Sequence, residues 1–201
     1  MRSERKDAHY KRAKAHGYRA RSAYKLIELD DRHRFLAHGR RVIDLGAWPG
    51  GWLQVAAERT QPDARIVGVD LEPLDPFPDP RVRSLVGDVS DAATHAALLE
   101  AIGGRADVLL SDAAPKLTGV ASTDEARLEL LGDAILEAAA ALLPPEGTLV
   151  MKIFIGPAGV SVRRAIERKF QSVKVTRPDA TRRGSSEIYV IARGSRSQAC
   201  G

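Results

Sequence analysis

Short runs rich in Val, Ile and Leu alternate along this chain with stretches whose apolar positions recur every three or four residues. The first pattern suits buried strands and the second amphipathic helices. It predicts strands at 41–46 (RVIDLG), 65–70 (RIVGVD), 82–86 (VRSLV), 107–112 (DVLLSD), 147–153 (GTLVMKI), 172–177 and 187–193 (EIYVIAR). Helices are predicted at 20–31, 51–60, 91–102, 123–143 and 159–170. Alternating strands and helices imply an α/β domain built on a mostly parallel sheet of seven strands. Ser122 and Glu125 form an S-x-x-E capping box ahead of the fourth helix, and Pro144-Pro145 ends it. The stretch RPDATRRGSS (177–186) is too short and broken for a crossover helix, so the last two strands should pair antiparallel. A last strand running backwards begins at the edge where its parallel neighbours end.

At 201 residues the chain fits one domain with a substantial core. Cys200 is the only cysteine, so no intrachain disulfide forms, a cysteine-based zinc site is not expected, and no metal is called. The apolar runs are shorter than the roughly 20 residues of a membrane span, and the N-terminus lacks a signal-peptide core. A cytoplasmic protein with no membrane association is the expectation.

The net charge of +5 is unevenly spread. Residues 1–21 hold eight Lys/Arg against two acids, residues 163–196 ten against three, and the intervening 22–162 thirteen against twenty-one. Two basic ends flank an acidic middle. Solvated surface is the ordinary explanation for such ends; a phosphate-tracking surface for nucleic acid is the functional one. Residues 1–20 read as a basic arm, 21–194 as the domain, and 195–201 as a tail expected from composition to be disordered.

The first core strand runs into DLGAWPGGW (44–52), which carries Gly46, Gly50 and Gly51 immediately before a helix. Glycines at a strand-to-helix turn permit positive φ and let a ligand touch backbone. The spacing is not G-x-G-x-x-G, which argues against a dinucleotide's pyrophosphate. Asp70 ends the second strand, where a carboxylate can bind both hydroxyls of a ribose; Asp88 ends the third and can face an adenine amino group. Either could instead cap the following helix. Loop and acids together describe a pocket for an adenosine without a diphosphate, which S-adenosylmethionine fits.

Four ionisable residues fall where core filler is unwelcome. Asp112 ends the fourth strand, Lys152 lies near the end of the fifth among apolar neighbours, and Glu187 opens the last. The antiparallel argument brings Glu187 to the same edge as the other two. Lys25 lies on the first helix and reaches them only if that helix folds back. Singly, a snorkelling lysine and an exposed strand end are ordinary; together, two lysines and two acids can order one another and present an amine to a hydroxyl.

RSAYKL (21–26), DLGAWPGGW, VGVDLEPLDP (67–76), GDV (87–89), SDAAPKLTG (111–119), VMKIF (150–154) and RPDATRRGSSEIYVIA (177–192) together resemble the FtsJ (RrmJ) family of ribose 2′-O-methyltransferases. The resemblance covers about residues 17–193 and implies a Rossmann-like methyltransferase fold with helices on both faces of the sheet. It implies that Lys25, Asp112, Lys152 and Glu187 are a catalytic tetrad and that S-adenosylmethionine is the methyl donor, leaving as S-adenosylhomocysteine. By the same resemblance the cofactor is held by Asp44, Gly46, Trp48, Pro49, Gly50, Gly51, Trp52, Asp70, Leu71, Asp88, Val89 and Asp112. The family loop usually has alanine where Trp48 stands, so a narrowed cofactor site or a shifted loop backbone, either altering cofactor affinity, is expected there.

The family's compact members imply a uridine of large-subunit ribosomal RNA as the target, within the subunit, and a monomeric enzyme. Others act on tRNA or mRNA caps. Outside this reading stand a non-catalytic RNA-binding assembly factor, which the tetrad argues against, and an NAD-dependent oxidoreductase, which the glycine spacing argues against. A base methyltransferase would need a loop like Asn-Pro-Pro-Tyr where this chain has SDAAP.

Overall fold

A computed structural model of the chain describes residues 16–182 and 184–196. The predicted arm and tail fall mostly outside them. All seven predicted strands and five predicted helices are present, in the order α1 (Ala23–His33), β1 (Arg41–Leu45), α2 (Gly51–Arg59), β2 (Arg65–Asp70), β3 (Val82–Val86), α3 (Ala92–Ile102), β4 (Val108–Ser111), α4 (Ala121–Leu142), β5 (Thr148–Phe154), α5 (Pro157–Lys169), β6 (Phe170–Thr176) and β7 (Glu187–Ser195). They form one sheet of order β3-β2-β1-β4-β5-β7-β6. β7 alone runs antiparallel to its neighbours, pairing Lys152 with Tyr189 and Phe154 with Glu187.

Strand alternation divides the core between the two faces. In β1, Ile43 and Leu45 point to the face covered by α3, α4 and α5, through Leu98, Ile102, Ile135, Leu136, Val162 and Ile166. Val42, Ile66, Leu110 and Val150 point to the other face, under Leu26 and Leu29 of α1 and Leu53 and Val55 of α2. Burying a Leu or Ile side chain contributes about 1.5–3 kcal/mol, so both faces must be covered and helices lie on each. Asp44 falls on the α1/α2 face by the same alternation.

The fold-back of α1 has identifiable causes. Its buried face of Ala23, Leu26 and Leu29 packs into the second core cluster. The Trp52 indole donates to Ser22 O at 2.9 Å, and Gln54 accepts from Arg19 N at 2.7 Å while donating to Gly17 O at 2.9 Å. At its other end Asp30 accepts from Phe35 N, Leu36 N and the Arg59 guanidinium. Glu28 of the same helix accepts from Asp179 N and Ala180 N, so α1 also anchors the β6–β7 loop.

The capping box predicted at Ser122 and Glu125 is not formed. α4 begins at Ala121 after Val120, with no side-chain cap, so Ser122 lies within the first turn. Asp124 reaches back to Thr118 N and Gly119 N at 2.6 and 2.9 Å, and Glu125 accepts from Ala158 N at the start of α5. Tertiary contacts outbid the local pattern here, because Glu125 satisfies an otherwise orphaned amide of a neighbouring helix.

Candidate active site

The carboxyl ends of β1, β2, β3 and β4 open into a cleft of about 780 Å³, lined on its floor and walls by Gly46, Asp70, Leu71, Asp88, Val89 and Asp112, with Trp48 at its side. Gly46 has φ +77, and a Cβ there would come within 2.6 Å of the Ala113 Cβ. Only glycine lets β1 turn this close to the β4 loop. Gly50, at φ +106, precedes α2 as its N-cap. The intervening Trp48-Pro49 bond is cis. Trp48 N donates to Asp70 Oδ2 at 2.9 Å, which ties the loop to the end of β2, and the Trp48 side chain is exposed. The bulky residue therefore borders a roomy cleft and does not fill it.

Asp70 also accepts from Glu72 N through Oδ1. Asp88, expected to face a ligand's amino group, lines the cleft with its Oδ1 already taken by Ser90 N and Oγ at 2.9 and 2.7 Å. Those bonds, the backbone one first, hold its carboxyl below the ordinary range.

Asp44 is the outlier of the site. It is 1% exposed, and neither carboxylate oxygen has a hydrogen-bond partner. Burial pushes its carboxyl well above the ordinary range, and the negative charges of Asp112 and Asp70 add to the rise. A small hollow of about 40 Å³ lies against it, bordered by Ser22, Gly46, Gly51, Trp52 and Asp112. An unpartnered buried carboxylate is costly. Its chemistry fits a ligand that brings a positive charge, such as the amino group of an amino-acid moiety.

Lys25, Asp112, Lys152 and Glu187 meet beside this hollow. Lys25 Nζ lies 2.7 Å from Glu187 Oε2 and 3.9 Å from Asp112 Oδ1. Lys152 Nζ donates to the Asp112 carbonyl at 2.7 Å and lies 3.2 Å from Asp112 Oδ1. Both lysines are buried, at 5% and 7% exposure, so each depends on these acceptors. For Glu187, burial raises the carboxyl, but the hydrogen bond and charge of Lys25, with Lys152 and Arg21, more than reverse this and leave it below its ordinary value. The edge placement argued from strand direction is what the structure shows for Asp112, Lys152 and Glu187.

Tyr189 belongs to this cluster and escaped the sequence reading. Fully buried, it donates from its hydroxyl to Asp112 Oδ1 at 2.7 Å, while its ring lies 5.6 Å from Lys25 Nζ and 6.0 Å from Trp52. Burial, then the Asp112 charge, pushes its phenol well above the ordinary range, so it remains a donor. A signal was present: residues 187 and 189 of one strand share a face, and cross-strand pairing sets Tyr189 opposite Lys152.

The sequence profile of FtsJ-like methyltransferases matches residues 18–195, a span that contains every residue of the cleft and the cluster. The chain belongs to this family. It is an S-adenosylmethionine-dependent methyltransferase. A "Ribosomal RNA large subunit methyltransferase E" of Natronomonas pharaonis is 45% identical over 190 residues, covering 94% of this chain and 74% of that one. Its namesake in Azoarcus sp. is 44% identical over 186 residues, covering 92% and 90%. A crystal structure of a putative ribosomal RNA methyltransferase from Plasmodium falciparum superposes with a TM-score of 0.77 at 29% identity, covering 89% of this chain and 98% of that one. Fibrillarin of Aeropyrum pernix, solved with natively bound S-adenosylmethionine, shares the fold at a TM-score of 0.63 and 16% identity, covering 87% and 75%. Among the described residues, no helix of this methyltransferase is long and apolar enough to cross a membrane.

Proposed function

We propose that this methyltransferase transfers the methyl group to a ribose 2′-oxygen of large-subunit ribosomal RNA, a uridine being the nucleotide its family resemblance favours, as a monomer in the cytoplasm. The observation that carries the reading is the convergence of two buried lysines and two carboxylates, linked in a chain of ion pairs of 2.7 to 3.9 Å, beside a cleft suited to adenosine. The names of its relatives support the RNA class.

Asp44 would hold the amino group of the cofactor, Asp70 its ribose, and Leu71, Val89 and Asp88 its adenine. Gly46, Pro49, Gly50, Gly51 and Trp52 would shape the loop around it, with Trp48 at the rim and Asp112 between cofactor and tetrad. When bound, S-adenosylmethionine supplies a methyl already activated by a sulfonium, so the chain's residues have only to orient the ribose and manage one proton.

Lys152 is assigned to that proton. Its amine takes the 2′-hydroxyl proton as the new O–C bond forms and the methyl–sulfur bond breaks to leave a neutral thioether, and the resulting ammonium is held by Asp112 through both its carboxylate and its carbonyl. Asp112 fixes the direction of the amine, and Tyr189 in turn fixes Asp112. Lys25, locked to Glu187, presents a cation to the ribose oxygens. Holding hydroxyl and methyl in line replaces a bimolecular encounter, which contributes much of the rate.

The test is methyl transfer from labelled S-adenosylmethionine to large ribosomal subunits and to protein-free ribosomal RNA lacking the modification, with tRNA alongside. Nuclease-resistant label on the ribosomal RNA is expected. Lys152→Ala should lower turnover by about 10²- to 10⁴-fold while the fold and cofactor binding persist. Full turnover by a folded Lys152→Ala protein would remove Lys152 from this role, and label on tRNA alone would overturn the substrate.

A further inference from the structure

The sheet edge opposite the tetrad carries a row of cations that the proposed chemistry does not use. Arg41 and Arg65 stand in register at the starts of β1 and β2, with Arg40 beside them. Arg105 precedes β4, and at the far end Lys169 and Arg196 flank the start of β6 and the end of β7. From β2 to β6 this is five strand spacings, or about 24 Å at 4.8 Å each.

Carboxylates offset only part of this charge. Asp63 lies 3.8 Å from the Arg40 guanidinium, and Asp107, whose carboxylate accepts from the backbone amides of Arg40 and Arg41, keeps its charge beside them. Glu146 is exposed on the same edge, and Asp79 is paired with Arg81. The guanidiniums of Arg105 and Arg196 are instead held by carbonyls, of Leu143 at 2.8 Å and Phe170 at 2.9 Å. A carbonyl orients a guanidinium without cancelling its charge, and an ordered side chain loses less entropy on binding.

Two hollows interrupt the row. One of about 400 Å³ is lined by Arg40, Arg41, Arg65, Asp63 and Asp107. The other, of about 770 Å³, has an apolar floor of Leu143, Pro144 and Phe170 under Arg105, Lys169 and Arg196, and among the described residues no carboxylate lines it.

We infer that this edge is a second RNA-binding surface, taking the phosphates of a segment of folded ribosomal RNA remote from the methylated nucleotide. A row of guanidiniums and an ammonium about 24 Å long matches a polyanion of regular charge, and its affinity comes from counterion release. Apolar space between the cations accommodates sugar or an unstacked base. The inference rests on the ribosomal RNA reading above and refines it. The seven residues of β5 separate the two edges by about 20 Å, so a short strand in the catalytic cleft does not reach the row. The substrate that engages both is a folded RNA wrapped around the sheet.

The test is the triple variant Arg40→Gln, Arg168→Gln, Lys169→Gln, all exposed positions outside the cleft, Arg168 lining the second hollow beside Lys169. Arg40→Gln alone, at a side chain 75% exposed, serves where the triple variant is unstable. Binding to protein-free large-subunit ribosomal RNA is measured as a function of salt, with thermal melting and S-adenosylmethionine binding as controls. The slope of log affinity against log salt is expected to fall by roughly 2–3 for the triple variant and by roughly 0.7–0.9 for the single one. Affinity near 0.1 M salt is expected to fall about 10- to 100-fold, raising KM on the folded RNA but not on a short oligonucleotide spanning the modified position. An unchanged slope and affinity in folded variants overturns the inference. Weaker binding to whole subunits with unchanged binding to protein-free RNA also overturns it, assigning the row to an acidic protein surface. Methyl transfer by the unaltered chain is scored in parallel, so failure of the substrate reading registers separately.

Discussion

Asp44→Asn should make the protein without cofactor more stable and a poorer binder of S-adenosylmethionine. The side chain is fully buried, without a partner on either oxygen, and its carboxyl is raised by burial first and then by Asp112 and Asp70. In the unfolded chain an Asp titrates near about 3.9. The native state therefore holds a proton that the unfolded chain has released. The stability that this group allows is complete below about pH 4 and falls as pH rises toward its native pKa.

Asn keeps the shape and cannot ionise. Between the unfolded pKa and the native one, holding the Asp44 proton costs about 1.4 kcal/mol per pH unit, a cost the variant lacks, which in a domain of this size raises the melting temperature by roughly 3–5 °C per unit. A charge-assisted hydrogen bond to an ammonium is worth about 1.5–3 kcal/mol, so cofactor Kd should rise about 10- to 100-fold. The assay is thermal melting at pH 6, 7 and 8 with and without S-adenosylmethionine, together with calorimetric titration. The variant should lose the downward slope of stability with pH and most of the cofactor's stabilising shift. A variant that is no more stable at any of these pH values and binds the cofactor with unchanged affinity would show that Asp44 is neither strained nor a ligand.

Gly46→Ala forces a β-carbon into Ala113 at a backbone φ of +77; a stability loss of about 1–3 kcal/mol in urea titration is expected, with cofactor affinity falling alongside it. Asp30→Ala frees Phe35 N, Leu36 N and one bond of Arg59 at the buried end of α1. It should cost about 2–4 kcal/mol and lower turnover through Lys25 on the same helix, whereas equal stability would mean that α1 docks without it.

Sequence periodicity sufficed for every strand and helix of the described chain, because a two-sided sheet leaves a repeating apolar record in each element. The direction of β7 was legible too, since the connection before it is too short for a crossover. Tyr189 was harder to see. It reads as core filler until Asp112 is placed 2.7 Å from its hydroxyl, and that proximity depends on strands 77 residues apart in the chain. The Ser122–Glu125 box failed for a related reason: a local pattern cannot announce that Glu125 has a better partner in Ala158 N.

What the sequence determined by itself was the order of elements, the glycine turn and the edge at which Asp112, Lys152 and Glu187 gather, all consequences of period and chain direction. The tertiary structure decided the rest. It brought Lys25 to Glu187 through the Trp52 and Gln54 bonds that fold α1 back, left Asp44 without a partner, and aligned arginines from separate strands along the opposite edge. Those outcomes depend on distances between residues far apart in the chain, which burial and pairing fix only when all layers pack at once.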